Sequence, residues 1–108
     1  MLVAAPLMMM LAAAPQSADA VGAGRKAYSE CLSKQIQPAL DKKVTLSEFQ
    51  ASLKEKCADK EAAFRAAILA DDKTNGMSAK DSASDADDQV SEYVDKITGE
   101  YEDYNKGG

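Results

Sequence analysis

The sequence predicts an all-α fold: a disulfide-linked antiparallel helical hairpin plus a third helix, together a three-helix bundle. Three observations carry this. Beyond residue 20, apolar residues recur at spacings of three, four and seven, with no strand-like alternation and few β-branched residues. Breaks at Pro38 and at Asn75-Gly76 divide that part into three stretches. Cys31 and Cys57, the two cysteines, fall opposite one another when the first two stretches fold back on each other.

The first helix is predicted over residues 24–36, with Ala27, Tyr28, Cys31, Leu32 and Ile36 on one face and polar residues opposite. Pro38 restricts Gln37 and removes a backbone donor, so the helix ends or kinks there before a short turn at residues 40–44. The second opens with Thr45-Leu-Ser-Glu48, where the Thr hydroxyl caps an amide three residues on and the Glu reaches back to the cap's own amide. Leu46, Phe49, Leu53, Cys57, Phe64 and Ile68 then trace an apolar stripe to about Ala70 or Asp71. Ala62, Ala63, Ala66 and Ala67 raise its helix propensity, and Thr74-Asn75-Gly76 stops it through residues that tolerate the left-handed conformation.

Ser78 is the predicted cap of the third helix. Asp81, Asp85, Asp87 and Asp88 crowd its first turns, where the helix dipole favours negative charge. Val90, Val94, Ile97, Tyr101 and Tyr104 follow at alternating spacings of four and three, a heptad seam suited to packing between two helices. Gly99 interrupts it at a cost of about 1 kcal/mol relative to Ala, and is read as permitting a close approach. Residues 105–108 are expected to fray.

The pairing of Cys31 with Cys57 has a geometric argument. In an antiparallel hairpin, facing residues have numbers with a nearly constant sum, and Leu40 with Leu46, Ile36 with Phe49, Leu32 with Leu53 and Cys31 with Cys57 satisfy that register. Closing such a loop contributes roughly 3 to 4 kcal/mol on the chain-entropy account. No C-x-x-C pair is present, and two cysteines alone cannot complete a zinc site.

Residues 1–20 read as a signal peptide, an apolar run over residues 2–14 followed by Ala18-Asp19-Ala20, with cleavage expected before Val21. The run is shorter than the roughly 20 apolar residues a membrane-spanning helix needs, and Pro6 and Pro15 weaken an anchor further. Residues 21–108 are then a single small helical domain in the periplasm or secreted medium, with no stable membrane anchor after cleavage. The full chain carries 13 basic and 18 acidic side chains, a net charge of −5. They are unevenly spread: residues 21–70 hold nine basic and six acidic groups, residues 71–108 four basic and eleven acidic. The acidic second half repels nucleic acid and anionic membranes.

Chemistry is sparse. There is no His, hence no common general base, imidazole metal ligand or usual triad. The carboxylates crowd a helix start rather than forming a separated pair, and Trp is absent, which argues against a glycosidase. Gly22-Ala-Gly24 follows no strand and lacks the third glycine of a phosphate-binding loop. The expectation is a protein that is not an enzyme and carries no cofactor.

Two windows approach a calcium loop. Counted from Asp71, Gly76 takes the sixth position, but Lys73 and Ser82 stand where ligands belong. Counted from Asp81, Asp85, Asp87 and Glu92 take the fifth, seventh and twelfth positions, while Ala83 and Ala86 spoil the third and sixth. Asp81, Asp85, Asp87 and Glu92 are therefore weak candidates for a divalent cation, the alternative to the main expectation. That main expectation is a non-enzymatic protein-interaction module with a protein partner: Tyr93, Tyr101 and Tyr104 lie beside Glu92, Glu100, Glu102 and Asp103, and Tyr favours interfaces. Tyr93 and Glu100 are the contact candidates, with packing of Tyr101 and Tyr104 in the seam as the structural alternative.

Tyr28-x-x-Cys31, Cys57 followed by Ala62-Ala-Phe64-Arg65-Ala-Ala, and the Asn75-Gly76-Met77 turn together resemble small exported alphaproteobacterial helical proteins of unassigned function with paired cysteines. The resemblance implies a periplasmic or secreted setting and carries over neither activity nor catalytic residues.

Overall fold

A computed structural model describes residues 16–107, and the chain there is helical throughout, with Cys31 and Cys57 joined by a disulfide. The elements are α1 (Gln16–Lys34), α2 (Ile36–Lys42), α3 (Leu46–Lys56), α4 (Ala58–Thr74) and α5 (Ala79–Gly107). The apolar run at residues 2–14 lies outside the described residues. The cleavage point expected before Val21 falls within α1, and the Val21 side chain belongs to the core.

Three predicted stretches become five helices because two of them are interrupted. The first break, at Gln35, comes three residues before Pro38. Proline has no N–H to offer the Lys34 carbonyl and its ring crowds that oxygen, so α1 ends at Lys34 and Pro38 sits in the first turn of α2, where the missing donor costs nothing. The predicted turn therefore starts later. α2 runs to Lys42 and closes on Lys43 in the left-handed region (φ 55°), with Lys43 and Val44 N–H groups donating to the Leu40 and Ala39 carbonyls.

The second break, at Cys57, has no proline or glycine to announce it. Cys57 closes α3, donating to the Leu53 carbonyl, and opens α4, accepting from the Glu61 N–H. Its backbone (φ −108°, ψ 17°) leaves the helical well, so the axis bends there. The bend separates two tasks. α4 lies antiparallel along α1, through Cys31 with Cys57, Tyr28 with Glu61 and Gly24 with Phe64. α3 instead packs against the C-terminal half of α5, where the Phe49 and Tyr101 rings stack at 4.2 Å. The predicted register thus holds at the cysteines and continues into α4, whereas the arm opposite α1 is α4 rather than α3.

The local signals at the other helix ends act as predicted. Thr45 and Glu48 form a reciprocal capping box, with Thr45 N–H donating to Glu48 Oε1 at 3.0 Å and Glu48 N–H to Thr45 Oγ1 at 3.2 Å. Gly76 (φ 84°) ends α4, with Met77 N–H returning to the Asp72 carbonyl at 2.9 Å. Ser78 Oγ accepts from Asp81 N–H at 3.2 Å and starts α5.

Side chains from all five helices meet in one core, including Tyr28, Leu32, Phe49, Phe64, Ile68 and Tyr101. Leu46, placed by its spacing on the apolar stripe, is instead exposed at the first position of α3. The close approach expected at Gly99 is also absent, since a Cβ there meets nothing within 4 Å. It occurs at Gly24, where a Cβ lies 3.1 Å from the Phe64 Cα, a backbone atom that cannot swing aside. Opposite outcomes are expected. Gly99→Ala stabilises by up to about 1 kcal/mol through helix propensity, while Gly24→Val destabilises by about 1 to 3 kcal/mol through overpacking. Urea denaturation measures both, and a Gly24→Val variant as stable as the parent refutes the tight α1–α4 crossing.

Candidate functional site

The four acidic candidates do not converge. Asp81 and Glu92 are exposed and about 16 Å apart along a helix rising 1.5 Å per residue. Asp87 is held apart by Arg65 on α4, whose Nη1 donates to it and whose Nε donates to Glu61 at 2.9 Å. Asp85 accepts from Gln89 Nε2 at 3.2 Å, and Gln89 in turn accepts from Arg25 on α1. Among the described residues no three metal-capable side chains gather.

A polar contact that the sequence did not signal ties α4 to α5. Asp72 is buried in the last turn of α4, and its Oδ2 accepts from Ser82 Oγ at 3.0 Å. Burial raises its carboxyl above the ordinary 3.8, and the adjoining Asp85 and Asp71 push the same way against the Ser82 hydrogen bond. The C-terminal end of a helix dipole is also an unfavourable place for a negative charge. A raised acid is protonated more readily in the folded chain than in the unfolded one. Its stabilising proton is therefore lost as pH rises from about 3.8 through the raised value. Asp72→Asn, which still accepts from Ser82, is expected to raise the melting temperature at pH 7 and flatten the curve across that window. Thermal scans at pH 4 and pH 7 check this, and a variant less stable than the parent at pH 7 contradicts it.

Tyr93 is half-buried, its ring edge-on to Phe64 at 6.0 Å, and the Tyr28 ring lies tilted against the same Phe64 at 5.8 Å. Glu61 accepts from Tyr28, whose hydroxyl is pushed up to about 12 by burial and by the Glu61 charge, so it stays neutral. Glu100 is half-buried beside a shallow hollow of about 380 Å³ shared with Ile36, Leu40 and Tyr104. Tyr104, placed in the seam by its spacing, is 58% exposed. The seam ends one turn earlier at Tyr101, whose hydroxyl donates to the Val44 carbonyl at 2.6 Å.

An open concave surface lies at the Cys57 bend. α3 and α4 both pack on α5, and between those contacts an open groove of about 860 Å³ separates the bend from the middle of α5. Ala51, Ala58 and Ala62 line one wall, and Val90 and Val94 the other. Lys54, Glu61 and Arg65 add charge to the first wall and Asp95 to the second, two cations against two carboxylates. Of these alanines the sequence singles out only Ala62, as a helix former, and no residue near Cys57 marks the bend.

Comparison with protein-family models, with curated proteins and with solved structures finds no match to the chain. The class that fold and surface define is a small all-α, disulfide-linked protein. Its surface carries an open groove lined by small, apolar and charged residues, and no described helix is long and apolar enough to cross a membrane.

Proposed function

We propose that this chain is an exported, periplasmic or secreted, non-enzymatic interaction module. Its three rods, α1 with α2, α3 with α4, and α5, form a helical bundle that offers a surface to a protein partner. The observation that carries the reading is the open groove beside the disulfide-held bend, flanked by exposed charges on α5. A disulfide closing a small helical core suits an oxidising compartment. The signal-like residues 1–20 favour the same setting.

Photocrosslinking in living cells tests it, with a photoreactive residue placed in turn at positions 62, 95 and 104. One discrete crosslinked protein is expected from at least one position, and silence at all three removes the interaction reading. N-terminal sequencing of the exported protein is expected to begin at Val21; a chain retaining residues 1–20 removes the export reading.

A further inference from the structure

We propose that Asn75 is a site of spontaneous deamidation gated by the α4–α5 turn, so that the chain acquires a one-way chemical mark when that turn opens. The reaction needs only water and is independent of the interaction role above. The Gly76 nitrogen gives up its proton to water and attacks the side-chain carbonyl carbon of Asn75. A bond forms between them, the bond to the side-chain amide nitrogen breaks, and that nitrogen takes a proton from water and leaves as ammonia. Water then opens the cyclic imide. Attack at one carbonyl gives aspartate; attack at the other gives isoaspartate, in which the main chain runs through the former side chain.

The fold itself places the reactive pair here. α4 stops through Gly76 at φ 84°, a conformation that side chains rarely adopt, so the position calls for glycine. Glycine leaves the attacking nitrogen unshielded, and both Asn75 and Gly76 are exposed to the water the reaction consumes. Asn105, the other asparagine of the chain, precedes Lys106, whose side chain shields the corresponding nitrogen.

The closed turn keeps the reacting atoms apart. Asn75 has φ −88° and ψ 7°, so the Gly76 nitrogen eclipses the Asn75 nitrogen, whereas ring closure needs it beside Cβ. The Gly76 N–H is also engaged, donating to the Lys73 carbonyl at 3.1 Å. Around it, Met77 N–H donates to the Asp72 carbonyl, and the Asp72 side chain accepts from Ser82 on α5 at 3.0 Å. Rotation of Asn75 ψ breaks the Gly76 bond and moves the chain these other bonds hold. Conversion then opposes reclosure. It adds a carboxylate at the C-terminal end of the α4 dipole, beside Asp71 and the buried Asp72. In isoaspartate an additional main-chain carbon also displaces the Gly76 and Met77 N–H groups from the carbonyls they meet.

The test incubates the full oxidised chain at mildly alkaline pH, with and without guanidinium chloride, and follows mass and isoaspartate in digests. Asn75 is expected to convert in denaturant faster than Asn105, and at least about tenfold more slowly in buffer, where the turn must first open. Asn75→Gln, whose longer side chain closes a ring less readily, is expected to abolish conversion at that position. Ser82→Ala is expected to convert about two- to tenfold faster than the parent in buffer, the worth of one net hydrogen bond. The converted chain, separated by ion exchange, is expected to melt below the parent. An Asn75 that survives denaturant overturns the site. Equal rates in buffer and denaturant overturn the gate, as does a folded Ser82→Ala variant that converts no faster than the parent. A converted chain that melts with the parent shows that the turn recloses over the product and overturns the one-way mark.

Discussion

Replacing Cys31 and Cys57 together with serine is expected to lower the melting temperature by about 15 to 25 °C. The bond closes a segment with a sequence separation of 26 and joins positions whose Cα atoms lie 5.9 Å apart. On the chain-entropy account a loop of that length loses about 3.5 kcal/mol of stabilisation when opened. Domains of 60–100 residues shift by about 4 to 8 °C per kcal/mol. The site adds to the entropic effect, because Cys57 is the residue at which α3 and α4 meet and the bond ties that bend to α1. Circular dichroism melts of parent and variant, each with and without reductant, measure it. Reductant is expected to bring the parent down to the variant and leave the variant unmoved. A parent that melts within about 3 °C of the variant shows that the bond constrains little, since less than about 1 kcal/mol then separates them.

Tyr101→Ala is expected to cost about 3 to 5 kcal/mol, the range for deleting a buried aromatic ring. The ring is buried and stacked on Phe49, so its loss leaves a void where α3 meets α5. Tyr101→Phe separates the ring from the hydroxyl. That hydroxyl donates to the Val44 carbonyl at 2.6 Å and faces the Ala39 carbonyl at 3.4 Å, pinning the turn after α2. Losing only the hydrogen bond costs about 1 to 2 kcal/mol, since a buried acceptor is left unmet. Urea denaturation of the pair reads both numbers. If Tyr101→Phe equals Tyr101→Ala, the hydroxyl rather than the ring holds the turn; if Tyr101→Phe equals the parent, the turn holds itself.

Much of the architecture was legible in the sequence where the signal is local. The Thr45 capping box, the Asn75-Gly76 stop and the Ser78 cap are each set by hydrogen bonds within four or five residues, and each stands where its motif places it. The cysteine pairing was legible because a helical repeat turns sequence distance into a register that two residues either meet or miss. The groove was not legible. Ala62 was read only as a helix former, Ala51 and Ala58 carried no signal, and nothing in Lys56-Cys57-Ala58 breaks a helix by itself.

The aromatic and glycine positions draw the same line. Tyr93, Tyr101 and Tyr104 are chemically alike and close in sequence, yet one is half-buried on Phe64, one fully buried on Phe49 and one mostly exposed. Gly24 and Gly99 both interrupt helices, and only Gly24 has a neighbouring backbone against it. By itself the sequence determined the all-helical character, the caps and stops, and which sulfur atoms meet, because these depend on backbone hydrogen bonds and helical periodicity. Only the tertiary structure decided where the second rod bends, which face of α5 is covered and whether a glycine is crowded. Those outcomes depend on which distant helix arrives to fill the space.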